Sequence, residues 1–318
     1  MTRPPLRRLP VRPRDLYRRA RTLRRAREDS RFSSRLRVDC DAPELILSPH
    51  WDDAVLNCWS LLTSSRELTV VNVFAGYPPA GRAGVWEAVI GAQDSAERAR
   101  RRMAEDTRAL ARANRKPVNL PLLDAQYRGH GPAIGLDELD RTLTKEVQSA
   151  ARVYVPAGIG SHVDHLFTRR YARLLLHAGI PVTLYAELPY CTIHGWPSWV
   201  DGREPASNRD VDAYWQSFLR AVPEMPPLRS AEVVRLDGPT ASAKGNAVES
   251  YETSLNYGIR HLMGDPAFCA FEVRWELTVA GAARPTAQTS EEAGGVRSSS
   301  PGLRHASSLH SEAHDDVA

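Results

Sequence analysis

The stretch ELILSPHWDDAVLNCWSLL, residues 44–62, decides how the chain is built. It opens on Leu45, Ile46 and Leu47, an apolar run of strand length that stops at Pro49. It closes on Asp53–Leu62, which reads as a helix. Between the two stand His50, Asp52 and Asp53. Ionised carboxylates lose much hydration energy on burial unless they are paired or bound to a metal. A buried strand that empties into a histidine and two adjacent carboxylates therefore asks for a cation, and for further ligands elsewhere in the chain.

Outward from this stretch the signals alternate. Leu68–Phe74 (LTVVNVF) is a second strand by its β-branched content, and a Gly- and Pro-rich loop, GYPPAGRAG, follows it. Residues 94–114 form a long charged helix with Ala, Met103 and Leu110 on the inner face. Pro117–Leu123 is a short strand, Leu136–Ala150 a helix, Arg152–Pro156 a strand, Asp164–Ala178 a helix and Pro181–Ala186 a strand. After Glu187 the pattern turns irregular and aromatic, with Tyr190, Trp196, Trp199 and Trp215 close together, either core or a binding platform. Val233–Leu236 and Phe271–Leu277 are late strands around a helical stretch near Ala241–Leu255. The alternation predicts an α/β fold with a mostly parallel sheet covered on both faces.

Bulk properties narrow the class. With 318 residues, 42% hydrophobic and 25% charged, the chain has a globular composition, and no apolar run approaches the ~20 residues that span a bilayer. Cys40, Cys58, Cys191 and Cys269 are scattered without a C-x-x-C pair, the pattern of reduced thiols, so the expected location is cytoplasmic. The net charge of +4 is carried by the first 37 residues, where Arg7, Arg8, Arg18, Arg19, Arg24 and Arg25 stand among few acids. The remainder is slightly acidic, so nucleic acid is not an expected partner. The expected organisation is an Arg-rich flexible extension over 1–40, one catalytic domain over 41–280 and a disordered Ser/Ala/Glu/Gly-rich tail over 281–318. The extension is either a solvated segment or a basic helix that touches an anionic membrane.

A second cluster answers the first. GIGSHVDH, residues 158–165, follows the strand RVYVP and again opens a helix with His162, Asp164 and His165. Loops at the carboxyl ends of strands host the chemistry of open α/β sheets. Two histidines and one aspartate converging from two such loops make a three-ligand zinc site with a position left for water. A leftover carboxylate would be a general base and a leftover histidine an oxyanion stabiliser or acid. Asp164 is expected to hold His162 in one tautomer.

The pair PHWDD (49–53) and HVDH (162–165) resembles the signatures of the PIG-L/LmbE-like deacetylases, zinc enzymes that remove N-acetyl groups from glucosamine-containing substrates. The resemblance runs from about residue 43 to 260. It implies a Rossmann-like, LmbE-like sheet with late antiparallel strands. It assigns Zn2+ to His50, Asp53 and His165, the general base to Asp52, and oxyanion or acid duty to His162, with Asp164 beside it. It places Arg102, in an R-x-x-E pattern with Glu105, on the sugar. Asp124 and Arg128, in LLDAQYR, are further substrate candidates. Trp51 replaces the family's usual Pro, where its ring would stack on a sugar at the pocket mouth or pack inward, and Ala54 replaces the Glu that often follows. The expected partner is an N-acyl amino sugar or glycoconjugate. Two alternatives stay open: the same chemistry on another acyl group, or a non-catalytic carbohydrate-binding or scaffold protein on the same fold.

Overall fold

The structure is a computed structural model that describes residues 34–81, 83–84, 91–128, 134–205, 208–252 and 269–279, with Arg27, Phe32 and Glu87 besides. The Arg-rich segment up to residue 26 and the tail from 280, on which the extension and tail expectations fall, lie outside the described residues. Strands β1 (Arg37–Val38), β2 (Glu44–Ser48), β3 (Leu68–Asn72), β4 (Pro117–Asn119), β5 (Ser149–Ala150), β6 (Val153–Pro156), β7 (Val182–Tyr185), β8 (Glu232–Arg235) and β9 (Phe271–Leu277) are joined by nine α-helices among the described residues. These are α1 (Asp53–Asn57), α2 (Trp59–Leu62), α3 (Ser95–Ala111), α4 (Ala125–Arg128), α5 (Leu136–Glu146), α6 (Val163–His177), α7 (Ser198–Asp201), α8 (Val211–Leu219) and α9 (Gly238–Val248).

Seven strands form one sheet in the order β4-β3-β2-β6-β7-β9-β8. The first five run parallel, and β9 is antiparallel to both β7 and β8. Leu45, Ile46 and Leu47 are fully buried at the centre of the sheet. That is why β2 reads as a continuous apolar run with no alternation. After β2 the chain lays down β3 and β4 on one side, then returns to place β6 and β7 on the other. The reversal opens a crevice at the carboxyl ends of β2 and β6, the place where such sheets bind ligands. Both motif loops leave from these two ends.

Helix α3 begins where Asp94 accepts the Glu97 N–H at 2.9 Å, an N-cap with an acid three residues on. Its buried face carries Ala99, Ala109 and Leu110 but also Arg102, Glu105 and Asp106. Met103, expected inside, is only half-buried. Helix α6 packs on β6 and β7, and α9 packs against α1 and α3.

Three expected elements differ. The helix over 53–62 is interrupted at Cys58, because the Glu272 carboxylate accepts the N–H groups of Trp59 at 2.6 Å and Ser60 at 3.2 Å and restarts the turn. The helix from Leu136 stops at Glu146, and Ser149–Ala150 instead pairs in parallel with Arg37–Val38. This pairing, with buried Leu36 and the Ser34 hydroxyl donating to Asp140 at 2.9 Å, seats residues ahead of position 41 on the body. The Trp cluster is core: Trp215 is fully buried and meets Trp196, Trp199 and Trp275 edge-on at 5.8–6.2 Å. All four cysteines are free thiols, only Cys40 being exposed. Among the described residues no helix is long and apolar enough to cross a membrane.

Candidate metal-dependent active site

The loop after β2 is locked by its own polar groups. The Ser48 hydroxyl donates to the His50 carbonyl at 2.7 Å and accepts the Ala54 N–H at 3.1 Å. The Asp53 carboxylate turns back to accept the His50 N–H at 2.9 Å. The turn this demands puts Asp52 at φ 119°, a conformation that costs a residue with a side chain energy and tends to occur at functional sites. Trp51 points inward: it is buried, its indole N–H donates to Asn119 at 3.1 Å, and the Arg102 guanidinium sits 5.5 Å from its ring centroid. Of the two positions expected for this ring, it takes the inner one.

The loop after β6 turns on glycines. Gly158 and Gly160 have φ of 81° and 86°, and a Cβ on Gly160 would lie 2.7 Å from the Tyr190 ring. The His162 ring then caps α6, its Nδ1 accepting the Asp164 N–H at 3.3 Å.

The two loops meet. Asp53 Oδ2 lies 3.5 Å from His50 Nδ1 and 3.5 Å from His165 Nε2. Ligands at about 2.1 Å from a tetrahedral ion stand roughly 3.4 Å apart, so these separations are those of two edges of such a site. Nitrogens of His50, His162 and His165 lie within 4.8 Å of one another, as do donors of His50, Asp124 and Asp164. Each outward nitrogen is backed by a buried carboxylate: Asp164 Oδ2 is 3.1 Å from His50 Nε2, and Glu187 Oε1 is 3.3 Å from His165 Nδ1. Carboxylate–histidine pairs of this kind orient metal ligands.

Asp164 therefore holds His162 through its backbone N–H, while its carboxylate, expected on that ring, serves His50. The same carboxylate also accepts the Ala125 N–H at 2.9 Å and pairs with Arg128. Arg128 is spent on that pairing, on the Leu123 carbonyl at 2.9 Å and on the Phe74 ring. Asp124 reaches the cluster, its Oδ2 3.7 Å from His50 Nε2. Arg102 reaches it from α3, 3.5 Å from Asp52 Oδ2 and 3.3 Å from the Trp51 carbonyl.

The two adjacent aspartates are driven apart in acidity. Burial and the neighbouring Asp53 charge raise Asp52 to about 7, against the pull of Arg102. Burial acts on Asp53 in the same direction but is overcome by His165 and by hydrogen bonding to His50, which hold it at about 2. Burial, with the neighbouring His50 and His165, lowers His162 to about 4. Burial also lowers His50 and His165, yet Asp124, Asp164 and Asp53 around the first, and Asp53 and Glu187 around the second, leave both above the ordinary histidine value. Divergent acidities in one crevice are what acid–base chemistry requires, and buried ion-pair networks produce them too.

Sequence reasoning missed Glu187, fully buried behind His165, and Asp106, whose carboxylate accepts Tyr251 OH and Asn72 Nδ2 at 2.7 Å beneath Asp52. A signal for Glu187 was present: it is an acid placed directly after the apolar strand PVTLYA, at the carboxyl end of β7.

No protein-family model matches the chain. The curated 2'-N-acetylparomamine deacetylase of Streptomyces fradiae is 31% identical over 162 residues, 46% of this chain and 57% of that protein, so the match spans little more than half of the relative's length. Among solved structures, a triple mutant of a deacetylase of the teicoplanin biosynthetic pathway is 26% identical, with TM-score 0.56 over 76% of this chain and 100% of that one. The A40926 pseudoaglycone deacetylase is 25% identical, with TM-score 0.53 over 76% of this chain and 98% of that one.

Proposed function

We propose that this chain, a member of the PIG-L/LmbE-like deacetylase family, hydrolyses an N-acetyl or other N-acyl amide on an amino-sugar substrate with one bound zinc ion. The observation that carries the proposal is the convergence of His50 Nδ1 and His165 Nε2 on one Asp53 oxygen, with Asp52 left beside them. The donor set, two imidazoles and one carboxylate, suits zinc and leaves a fourth position open. His50, Asp53 and His165 would hold the ion, and zinc in this place supplies Lewis-acid polarisation of a carbonyl and a more acidic water.

The chain's own residues do the rest. Asp52, raised above an ordinary carboxylate by burial and the neighbouring Asp53, takes a proton from the attacking water as the oxygen–carbon bond forms. The strained backbone and Arg102 aim its carboxylate. His162 keeps its proton on Nε2, because Nδ1 is occupied by the Asp164 N–H, and with a pKa near 4 it is neutral at physiological pH. It therefore acts as a hydrogen-bond donor to the oxyanion and not as a cationic acid. When the carbon–nitrogen bond breaks, Asp52 returns its proton to the departing amine, giving a carboxylic acid and a free amino sugar. Asp124 would accept from a sugar hydroxyl, while Arg102 serves Asp52 and Arg128 serves Asp164.

Acid release from a panel of N-acetylated amino sugars, including 2'-N-acetylparomamine and a glycopeptide pseudoaglycone, tests the assignment. Turnover abolished by a chelator and restored by zinc is expected. A zinc-loaded protein that binds these sugars but releases no acid from any of them would instead identify a carbohydrate-binding protein.

A further inference from the structure

Glu187 stands two residues past the end of β7 with no solvent exposure. Its carboxylate holds three groups from two other elements. Oε1 accepts the Gly158 N–H at 2.5 Å and faces His165 Nδ1 at 3.3 Å, and Oε2 accepts the Ile159 N–H at 3.2 Å. Gly158 and Ile159 begin the loop that carries His162. One carboxylate thus ties the histidine on α6 to the loop that delivers its neighbour.

The residue is itself braced from the metal side. The Leu188 N–H, the next along the backbone, donates to Asn57 Oδ1 at 2.7 Å, and Asn57 Nδ2 donates to the Asp53 carbonyl at 2.8 Å. The chain of contacts runs Asp53, Asn57, Leu188, Glu187, His165, so that two candidate ligands from different loops are joined through buried hydrogen bonds. A carboxylate facing His165 Nδ1 fixes a proton there and leaves Nε2, on the side of Asp53, to bind an ion.

We propose that Glu187 is a positioning residue of the metal centre, setting the tautomer and orientation of His165 and the seat of the His162 loop. The proposal rests on the zinc-hydrolase assignment above. Glutamine at this position keeps the volume, but it offers one acceptor oxygen where three N–H donors converge and turns its own NH2 toward one of them.

The test is zinc affinity, by competition with a chromophoric chelator, of wild type and Glu187→Gln, with the melting temperature of each metal-free protein. A 10- to 100-fold weaker zinc affinity, the usual cost of losing such a partner, with kcat falling more than KM rises, supports the role. Unchanged zinc affinity in Glu187→Gln, while wild type binds one zinc, overturns it and leaves the hydrolase assignment standing. A wild type that binds no zinc overturns both. Should the variant not fold, Glu187→Asp, which keeps the charge but withdraws the carboxylate by one methylene, takes its place with the same readout: weaker zinc affinity supports the proposal, and unchanged zinc affinity refutes it.

Discussion

Replacing Asp52 by Asn separates chemistry from metal binding. Asparagine keeps the volume and tolerates a positive φ better than most residues with a side chain, so the turn at φ 119° survives. The substitution removes the one carboxylate of the cluster raised to about 7 and leaves Asp53, at about 2, untouched. General bases contribute about 10²- to 10⁴-fold to rate, which is roughly 3–5 kcal/mol of transition-state stabilisation. The expected outcome is a kcat lower by about 10²- to 10⁴-fold with KM little changed, in a variant that still carries one zinc. The pH profile carries the same information. Wild-type kcat/KM should fall on the acid side as Asp52 is protonated, near pH 7 or below it once a cation stands beside the carboxylate, and this limb should be missing in the residual activity of the variant. The assay is initial-rate acid release across pH, with metal content measured on the same samples. A variant with zinc bound and kcat within a few-fold of wild type would refute Asp52 as the base.

Other consequences follow from the same geometry. Asp52→Gly relieves the backbone strain at φ 119°, worth about 1–3 kcal/mol, against a lost Arg102 contact. The inactive variant should therefore melt at or above the wild-type temperature by calorimetry. Lys244 and Glu272 form a fully buried ion pair at 3.3 Å, so Lys244→Met should destabilise by about 3 kcal/mol, the low end for a broken buried pair, because Arg274 still holds Glu272 at 2.7 Å. In the metal-free protein the depressed Asp53 contributes stability that is present above its unfolded pKa of ~3.9 and is lost as pH falls through about 2. Urea titrations of metal-free wild type and Asp53→Asn should show the wild type losing stability over that window more steeply than the variant.

Much of this was legible in the sequence because the fold is built from long, regular signals. The run Leu45–Leu47 is buried on both faces, and its apolar character has no competing explanation. The two motifs were legible because ionisable side chains at strand ends interrupt such runs. What escaped were features decided across the fold. The break at Cys58 depends on Glu272, which is more than two hundred residues away in sequence and reaches the Trp59 N–H only because β9 joins the sheet beside β7. Ser149–Ala150 became a strand only because Arg37–Val38 lay alongside. The partner of Asp164 could not be read from spacing either. His162 is two residues away, yet the helix directs the Asp164 side chain across the crevice to His50.

The most direct test is zinc per chain in wild type and in His165→Ala, by elemental analysis after exposure to the metal and removal of excess. About one zinc per wild-type chain and markedly less in the variant are expected if the loops after β2 and β6 share an ion. Wild type without stoichiometric zinc, or a variant that keeps its full share, would contradict a metal centre built from His50, Asp53 and His165.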